Sequence, residues 1–346
     1  MTPFLAEIHQ QPQALRQLLS HLRGAGRPAL EAARNLCAGR PLCFLGMGSS
    51  MYAPLAIHPA LTRAGLGAEI REAGEHLHYT PDSISTDTAV IAISQSGESA
   101  ETLRAVEALD AGHPVLAITN APDSGLGQRG QVALPLCAGD EAAISTKTYS
   151  NTLAVLHVLQ TALTGGDIDT ECDRLARLAD DMQALLEERS QEMADAAAFL
   201  DRAGFLYSVA RGPALAAAHQ GALTFNEGAR LATCALAGGS FRHGPLEQVD
   251  ESFAAVLFAP AGRTADLVFG LARDVAAAGG RVLLLTDRPP ADAPPQVRSF
   301  VLPERGEDLF PLSACVPVEL LLYHVARARG HEAGVFQRVT KVTRTE

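Results

Sequence analysis

Ser94-Gln95-Ser96-Gly97-Glu98-Ser99 brings three hydroxyls, a carboxamide and a glycine together between an apolar run and a helix-like segment. The start of a helix offers backbone N–H groups without intrahelical partners and a partial positive charge. Hydroxyls and an amide placed there can seat a phosphate without a lysine. The plainer alternative is a helix cap, with Ser96 or Ser99 capping and Glu98 in the first turn. One serine is enough for a cap, and three beside Gln and Gly exceed that need, so the segment is read as a phosphate cradle. A second segment, Gly46-Met47-Gly48-Ser49-Ser50, lacks the third glycine of a dinucleotide fingerprint. Taken alone it is a turn and a cap. Ser49 and Ser50 become a second rim of the same pocket if both loops lie at the carboxyl ends of strands.

Proton transfer needs other groups. Thr224-Phe225-Asn226-Glu227-Gly228 is polar within an Ala-rich helix, and Ser240-Phe241-Arg242-His243-Gly244-Pro245 reads as a loop. A carboxylate and an imidazole are the usual tools for moving protons at a sugar carbonyl and ring oxygen. An isolated Glu or His is more often a solvated surface group or a structural one. His76, His78, His219 and His324 receive that structural reading.

The elements that carry these residues alternate between strand and helix. Leu15, Leu18, Leu19 and Leu22 share one helical face in an N-terminal segment, residues 1–34. Apolar runs at 41–46, 88–94, 115–119 and 131–136 read as strands, with helices to about 64, over 99–111 and over 147–164. Residues 166–199 are dense in charge, a connecting stretch of one or two helices. The alternation restarts with strands at 205–209, 254–259 and 282–286, a helix at 264–278, a short strand at 299–302 and a last helix over 317–329. Short strands alternating with helices predict parallel βαβ units, each sheet covered by helices on both faces.

The two halves form a divergent repeat. AVIAISQSGESAETLRAVEALDAGHPVLAITN in the first matches AAVLFAPAGRTADLVFGLARDVAAAGGRVLLLTD in the second, each reading strand, turn, helix, strand. The hydroxyls are lost in the second copy, where Ala259-Pro260-Ala261 faces Ser94-Gln95-Ser96. Only the first copy is therefore expected to hold a phosphate at this turn. The predicted organisation is α/β, with an N-terminal helical segment (1–34), a first domain that holds the phosphate (35–165), a helical linker (166–199), a second domain (200–330) and a C-terminal tail (331–346).

Composition narrows the class. The 346 residues are 47% hydrophobic, enough for two cores, and lack Trp. A formal charge of -11 with no Lys/Arg cluster argues against nucleic acid. The six cysteines form no C-x-x-C pair or zinc pattern, so they read as reduced thiols. No basic start precedes an apolar run and no uncharged stretch is long enough to span a membrane, so a cytoplasmic location without membrane contact is expected.

Four motifs in order, SQSGESAETL, ISTKTYSNTLAVL, FNEGARLATCALAGGSFRHGPLE and QRVTKVTRTE, resemble those of double sugar-isomerase (SIS) domain proteins. The likeness covers nearly the whole chain. It extends to the isomerase half of glucosamine-6-phosphate synthase, to SIS-type glucosamine-6-phosphate deaminases and to fructosamine-6-phosphate deglycases. The resemblance implies two tandem SIS domains and a sugar phosphate as small-molecule ligand. By that likeness Ser94, Gln95, Ser96 and Ser99 hold the phosphate, Ser49 and Ser50 match the hydroxyl pair after the first strand, and Ser145 lies near the sugar. Glu227 matches the base that moves a proton between C1 and C2. His243 matches the residue that opens the ring, supplied by the neighbouring subunit of a homodimer. Lys341 matches the catalytic lysine of a tail that closes over the substrate. No cofactor is implied, neither metal nor nucleotide.

The chain also departs from the synthase pattern. Gln220 and Thr224 stand where the synthase has a Glu-x-x-x-Lys pair, so a cation is missing from the enol end of the site. No glutamine-hydrolysing domain lies within the 346 residues, and the expected direction is catabolic. The leading expectation is an enzyme of the glucosamine-6-phosphate deaminase type, releasing fructose 6-phosphate and ammonia. The alternatives are a deglycase for sugar–amino acid 6-phosphates and, from another class, a non-catalytic phosphosugar sensor.

Overall fold

A computed structural model describes residues 1–200, 203–338, 340–341 and 343. The N-terminal half runs α1 (Pro3–Arg23), α2 (Arg27–Cys37), β1 (Leu42–Gly46), α3 (Ser49–Tyr52), a 3-10 turn (Ala53–Ala56), α4 (His58–Arg63), β2 (Ala68–Glu72), α5 (Ala73–Tyr79), β3 (Ala89–Ile93), α6 (Ala100–Glu107), β4 (Val115–Thr119), α7 (Gly125–Arg129), β5 (Val132–Pro135) and α8 (Lys147–Leu163). Two helices, α9 (Ile168–Glu188) and α10 (Ser190–Leu200), fill the charged stretch. There follow β6 (Phe205–Ala210), α11 (Leu215–Gly228), β7 (Ala232–Ala237), α12 (Gly238–Arg242), β8 (Ala254–Ala259), α13 (Ala265–Ala277), β9 (Arg281–Thr286), β10 (Val297–Val301), α14 (Phe310–Ser313) and α15 (Cys315–Ala328).

The strands form two five-stranded sheets, ordered β2-β1-β3-β4-β5 and β10-β9-β8-β6-β7, and every pair is parallel. Both have the same topology, since each sheet's first strand is flanked by its second and third. That reversal of direction creates a crevice at the carboxyl ends of β1 and β3 in one sheet and of β6 and β8 in the other. β1, β3, β4 and β8 are buried at every residue, as strands covered on both faces must be.

Packing divides the chain into two units, each discontinuous in sequence. The N-terminal unit comprises Gln10–Glu141, Lys147–Ala179 and, of the described tail residues, Arg338, Thr340, Lys341 and Thr343. The C-terminal unit comprises Met1–His9, Ala142–Thr146 and Asp180–Gln337. Ser145 therefore packs with α11 and the second sheet. One core gathers Cys43, Leu45, Val90, Ala92 and Leu126, and the other Tyr207, Phe241, Phe253, Phe269 and Leu284.

Some sequence expectations need correction. The helix expected after the glycine-rich turn is broken into α3, a 3-10 turn and α4, because Pro54 and Pro59 cannot donate to a preceding turn. The helix expected to reach residue 111 stops at Glu107. The segment around His243, expected as a loop, begins as α12, with His243 as its C-cap. β2 and β7 were not anticipated, for a reason taken up in the Discussion.

Candidate functional site

In the N-terminal unit the Ser94–Ser99 segment follows β3, and Ser49-Ser50 open α3 just after β1. β1 and β3 are adjacent, with Gly46 in register with Ile93, so the fold brings the two hydroxyl-bearing loops to the ends of neighbouring strands. The turn is tightly specified. Gly97 has φ +67°, and a Cβ there would lie 1.8 Å from Ser124 Oγ. Gly97 N–H donates to Ser94 O and Oγ at 3.1 and 3.2 Å, and Glu98 N–H to Ser96 Oγ at 3.1 Å. Gln95 O accepts from Asn120 N–H at 3.0 Å and Thr119 Oγ1 at 3.3 Å. Ser94 is buried; Ser49, Ser50, Gln95, Ser96 and Ser99 are half-buried.

The capping is divided among the serines: Ser94 and Ser96 hydroxyls accept N–H groups of the turn itself. Ser99 is the N-cap of α6 but its hydroxyl accepts from no helix N–H, and instead donates to Glu101 Oε2 at 3.3 Å. Glu98 serves another helix, accepting from Gly125 N–H at the start of α7 at 2.7 Å.

The described residues of the tail from Arg338 on belong to this unit, and 331–337 to the other. Lys341 Nζ pairs with Glu141 Oε2 at 2.7 Å, and the Glu141 side chain is 0% exposed. Glu141 also accepts from Thr148 N–H at 3.1 Å and Thr148 Oγ1 at 2.6 Å, capping α8. A buried carboxylate with charge-assisted partners is a firm attachment point. Thr343 O accepts from Ala100 N–H at 3.1 Å, at the first residue of α6. Lys341 thus pairs with a buried carboxylate in this structure. Glu141 escaped sequence reading because its partner lies 200 residues away. The tail expectation also falls on residues 339, 342 and 344–346, which lie outside the described residues.

In the C-terminal unit, Gln220, Thr224 and Glu227 sit at i, i+4 and i+7 on α11 and share one face. Gln220 is buried, its Nε2 lies 3.5 Å from Ser145 O, and its Oε1 has no partner. Thr224 is 1% exposed and turns its hydroxyl onto the helix, donating toward Gln220 O at 3.1 Å and Gly221 O at 3.2 Å. The position of the missing lysine is therefore closed by a small side chain. Glu227 is half-buried in the last helical turn, and Ser145 is half-buried in the same unit.

His243 is exposed, but its mounting is rigid. Phe241, 1% exposed, packs edge-on against Tyr207 and Phe253 with ring centroids 5.2 and 5.9 Å apart. Arg242 pairs with Asp274 of α13 at 2.5 Å. Gly244, at φ +144°, supplies a conformation other residues avoid. Burial first, and then nearby Arg71 for His76 and Arg327 for His324, hold His76, His219 and His324 below the ordinary 6.5. Burial also pushes the Cys37 and Cys43 thiols up to about 12, as inert core thiols require.

The SIS domain model matches residues 37–162 and again 199–312. The chain belongs to the SIS-domain family. It carries two tandem SIS copies, each a five-stranded parallel sheet flanked by helices. It is 31% identical over 340 residues to the glutamine–fructose-6-phosphate aminotransferase (isomerizing) of Thermococcus kodakarensis, covering 95% of this chain and 55% of that protein. The chain spans about half the length of the curated relatives it matches. In fold it is similar to the C-terminal domain of glucosamine-fructose-6-phosphate aminotransferase from Francisella tularensis, with TM-score 0.87, 22% identity and coverage of 97% and 98% of the two chains. It is similar too to glucosamine-6-phosphate deaminase from Thermotoga maritima, with TM-score 0.78, 18% identity and 99% of both chains covered. Among the described residues no helix is long and apolar enough to cross a membrane.

Proposed function

We propose that this SIS protein is an enzyme that rearranges a 6-phosphorylated sugar, and that its substrate is an amino sugar 6-phosphate converted to fructose 6-phosphate and ammonia. The observation that carries the phosphosugar reading is the asymmetry between two otherwise equivalent crevices. In the first copy the loop after β3 presents Ser94, Gln95, Ser96 and Ser99 beside Ser49 and Ser50. In the second copy the matching turn is Ala259-Pro260-Ala261, and its Ala261 N–H is already taken by the Asp287 carboxylate. An anionic ester has a cluster of hydroxyls to meet in one copy and a resident anion in the other.

His243 assists opening of the ring to the aldehyde. Its exposure at the end of α12 supports a role in a neighbouring subunit of a homodimer. Glu227 takes the proton from C2, leaving an enolamine across C1 and C2. Returning the proton to C1 yields an imine at C2. Water adds to that carbon, and the C–N bond breaks to release ammonia and the ketose. Overall one water is consumed and no electron is exchanged. Ser145 lies beside the sugar, and Lys341 is the catalytic lysine of the C-terminal tail. Neutral Gln220 and Thr224 suit a site that releases an amine and needs no further cation.

The direct test incubates the protein with glucosamine 6-phosphate and measures ammonia and fructose 6-phosphate. Equimolar appearance of both is expected, with E227Q lowering turnover by at least about a thousandfold while binding survives. Release of an amino acid from fructosamine 6-phosphates in place of ammonia would assign the deglycase reaction. Binding with neither release nor solvent exchange at C2 would assign a sensor.

A further inference from the structure

We infer that Asn226 is the positioning residue for Glu227; this rests on the proposed role of Glu227 as the base. Glu227 lies in the last turn of α11, where carbonyls run out of intrahelical partners and helices fray. A base that must reach C2 and then C1 cannot sit on a fraying turn, because a displacement of about 1 Å costs roughly a hundredfold in rate. The carboxamide next to it supplies the restraint.

Asn226 Nδ2 donates to Ala222 O, four residues back, at 2.8 Å, and to Thr233 O at 3.0 Å. Its Oδ1 accepts from Thr233 N–H at 3.1 Å. The side chain thus meets both backbone groups of one residue, as a neighbouring strand would. Thr233 belongs to β7, the last strand of its sheet, with β6 as its one strand neighbour. Thr233 is 9% exposed, so its backbone groups are costly to leave unmet. One carboxamide therefore ties the last turn of α11 to an open sheet edge.

The short connection tightens the arrangement. Ala229, Arg230 and Leu231 join α11 to β7, with Arg230 at φ +47°. The N–H groups of Ala229 and Leu231 both donate to Phe225 O, at 3.1 and 3.4 Å. On the far side of Glu227, Gly228 lets α11 approach its neighbours closely. A Cβ there would lie 2.8 Å from Ile144 Cδ1 and 3.2 Å from Leu322 Cδ1. Glu227 is flanked in sequence by a tether and by a close contact of Gly228 with Ile144 and Leu322. Asn226 serves here as a donor–acceptor pair, and neither Asp nor Ala reproduces both halves.

The test compares N226A, N226D and wild type with glucosamine 6-phosphate as substrate and fructose 6-phosphate as binding probe. The expected result is a fall in kcat of about 10- to 100-fold for N226A, with KM and probe affinity changed less than about threefold. N226D, which keeps the acceptor and loses the donors, is expected between N226A and wild type. In an E227Q background, N226A should remove no further activity, since the two residues act as one unit. Wild-type kcat in N226A overturns the inference. So does an equal loss of kcat and probe affinity with collapse of cooperative unfolding, which marks a general structural role. Full activity of E227Q would instead overturn the reading of Glu227 on which the inference stands.

Discussion

The two SIS copies share a strand order, yet their crevices differ in chemistry. In the first, β4 ends at Thr119 and is followed by Asn120, which turns its carboxamide to Gly139 O and Ala138 N–H, leaving the turn after β3 to its hydroxyls. In the second, β9 ends at Thr286 and is followed by Asp287, which reaches the turn after β8 to accept from Ala261 N–H. The difference is a carboxamide against a carboxylate, with three polar residues against Ala-Pro-Ala. A duplicated fold can keep its apolar strands, which carry the stability, while each crevice changes through a handful of loop residues.

The largest expected effect comes from making the first crevice resemble the second. The triple variant S94A/Q95P/S96A should weaken glucosamine 6-phosphate binding by about a hundredfold, the sum of several hydrogen bonds to a charged group. Binding read by calorimetry, with circular dichroism to verify folding, checks this. An unchanged affinity would remove the distinction between the copies.

A smaller effect concerns Asp287 itself. Burial, the leading cause, raises its carboxyl above the ordinary 3.8, against the bond from Ala261 N–H, which lowers it. A raised value means that the folded state favours the protonated form. The stabilising contribution is then complete below pH 3.8 and is lost as pH rises through the folded value, so at neutral pH the ionised group costs stability. D287N keeps an oxygen for Ala261 N–H and removes the charge. Its unfolding midpoint should exceed that of wild type at pH 7, with the gap closing toward pH 4, as thermal denaturation would report. A lower midpoint at pH 7 would show that the carboxylate is worth more than its burial costs.

The comparison also explains what was legible in the sequence. β1, β3, β4, β8 and β9 read clearly because strands in the middle of a parallel sheet are apolar at nearly every position. β2, Ala-Glu-Ile-Arg-Glu, and β7 escaped notice. Each is the outer neighbour of its sheet's first strand and only partly buried. The charges of β2 break any apolar run, while β7, Ala-Thr-Cys-Ala-Leu-Ala, is made of small residues with few β-branched or aromatic side chains to mark it as a strand. Among site residues, the serines stood out because they cluster in sequence. Glu141, Asn226 and Asp287 did not, because each owes its role to a partner that only the fold brings near: Lys341, Thr233 and Ala261. The break at Pro54 and Pro59 was written in the sequence and was overridden there by the helical pattern around it.

The most direct measurement titrates E227Q with glucosamine 6-phosphate and, separately, with glucosamine, by calorimetry. The account predicts one phosphosugar bound per chain, with the unphosphorylated sugar at least about a hundredfold weaker, because the ester docks on the hydroxyl-lined turn of the first copy alone. Two equivalent sites per chain, or equal affinity for the two sugars, would contradict it.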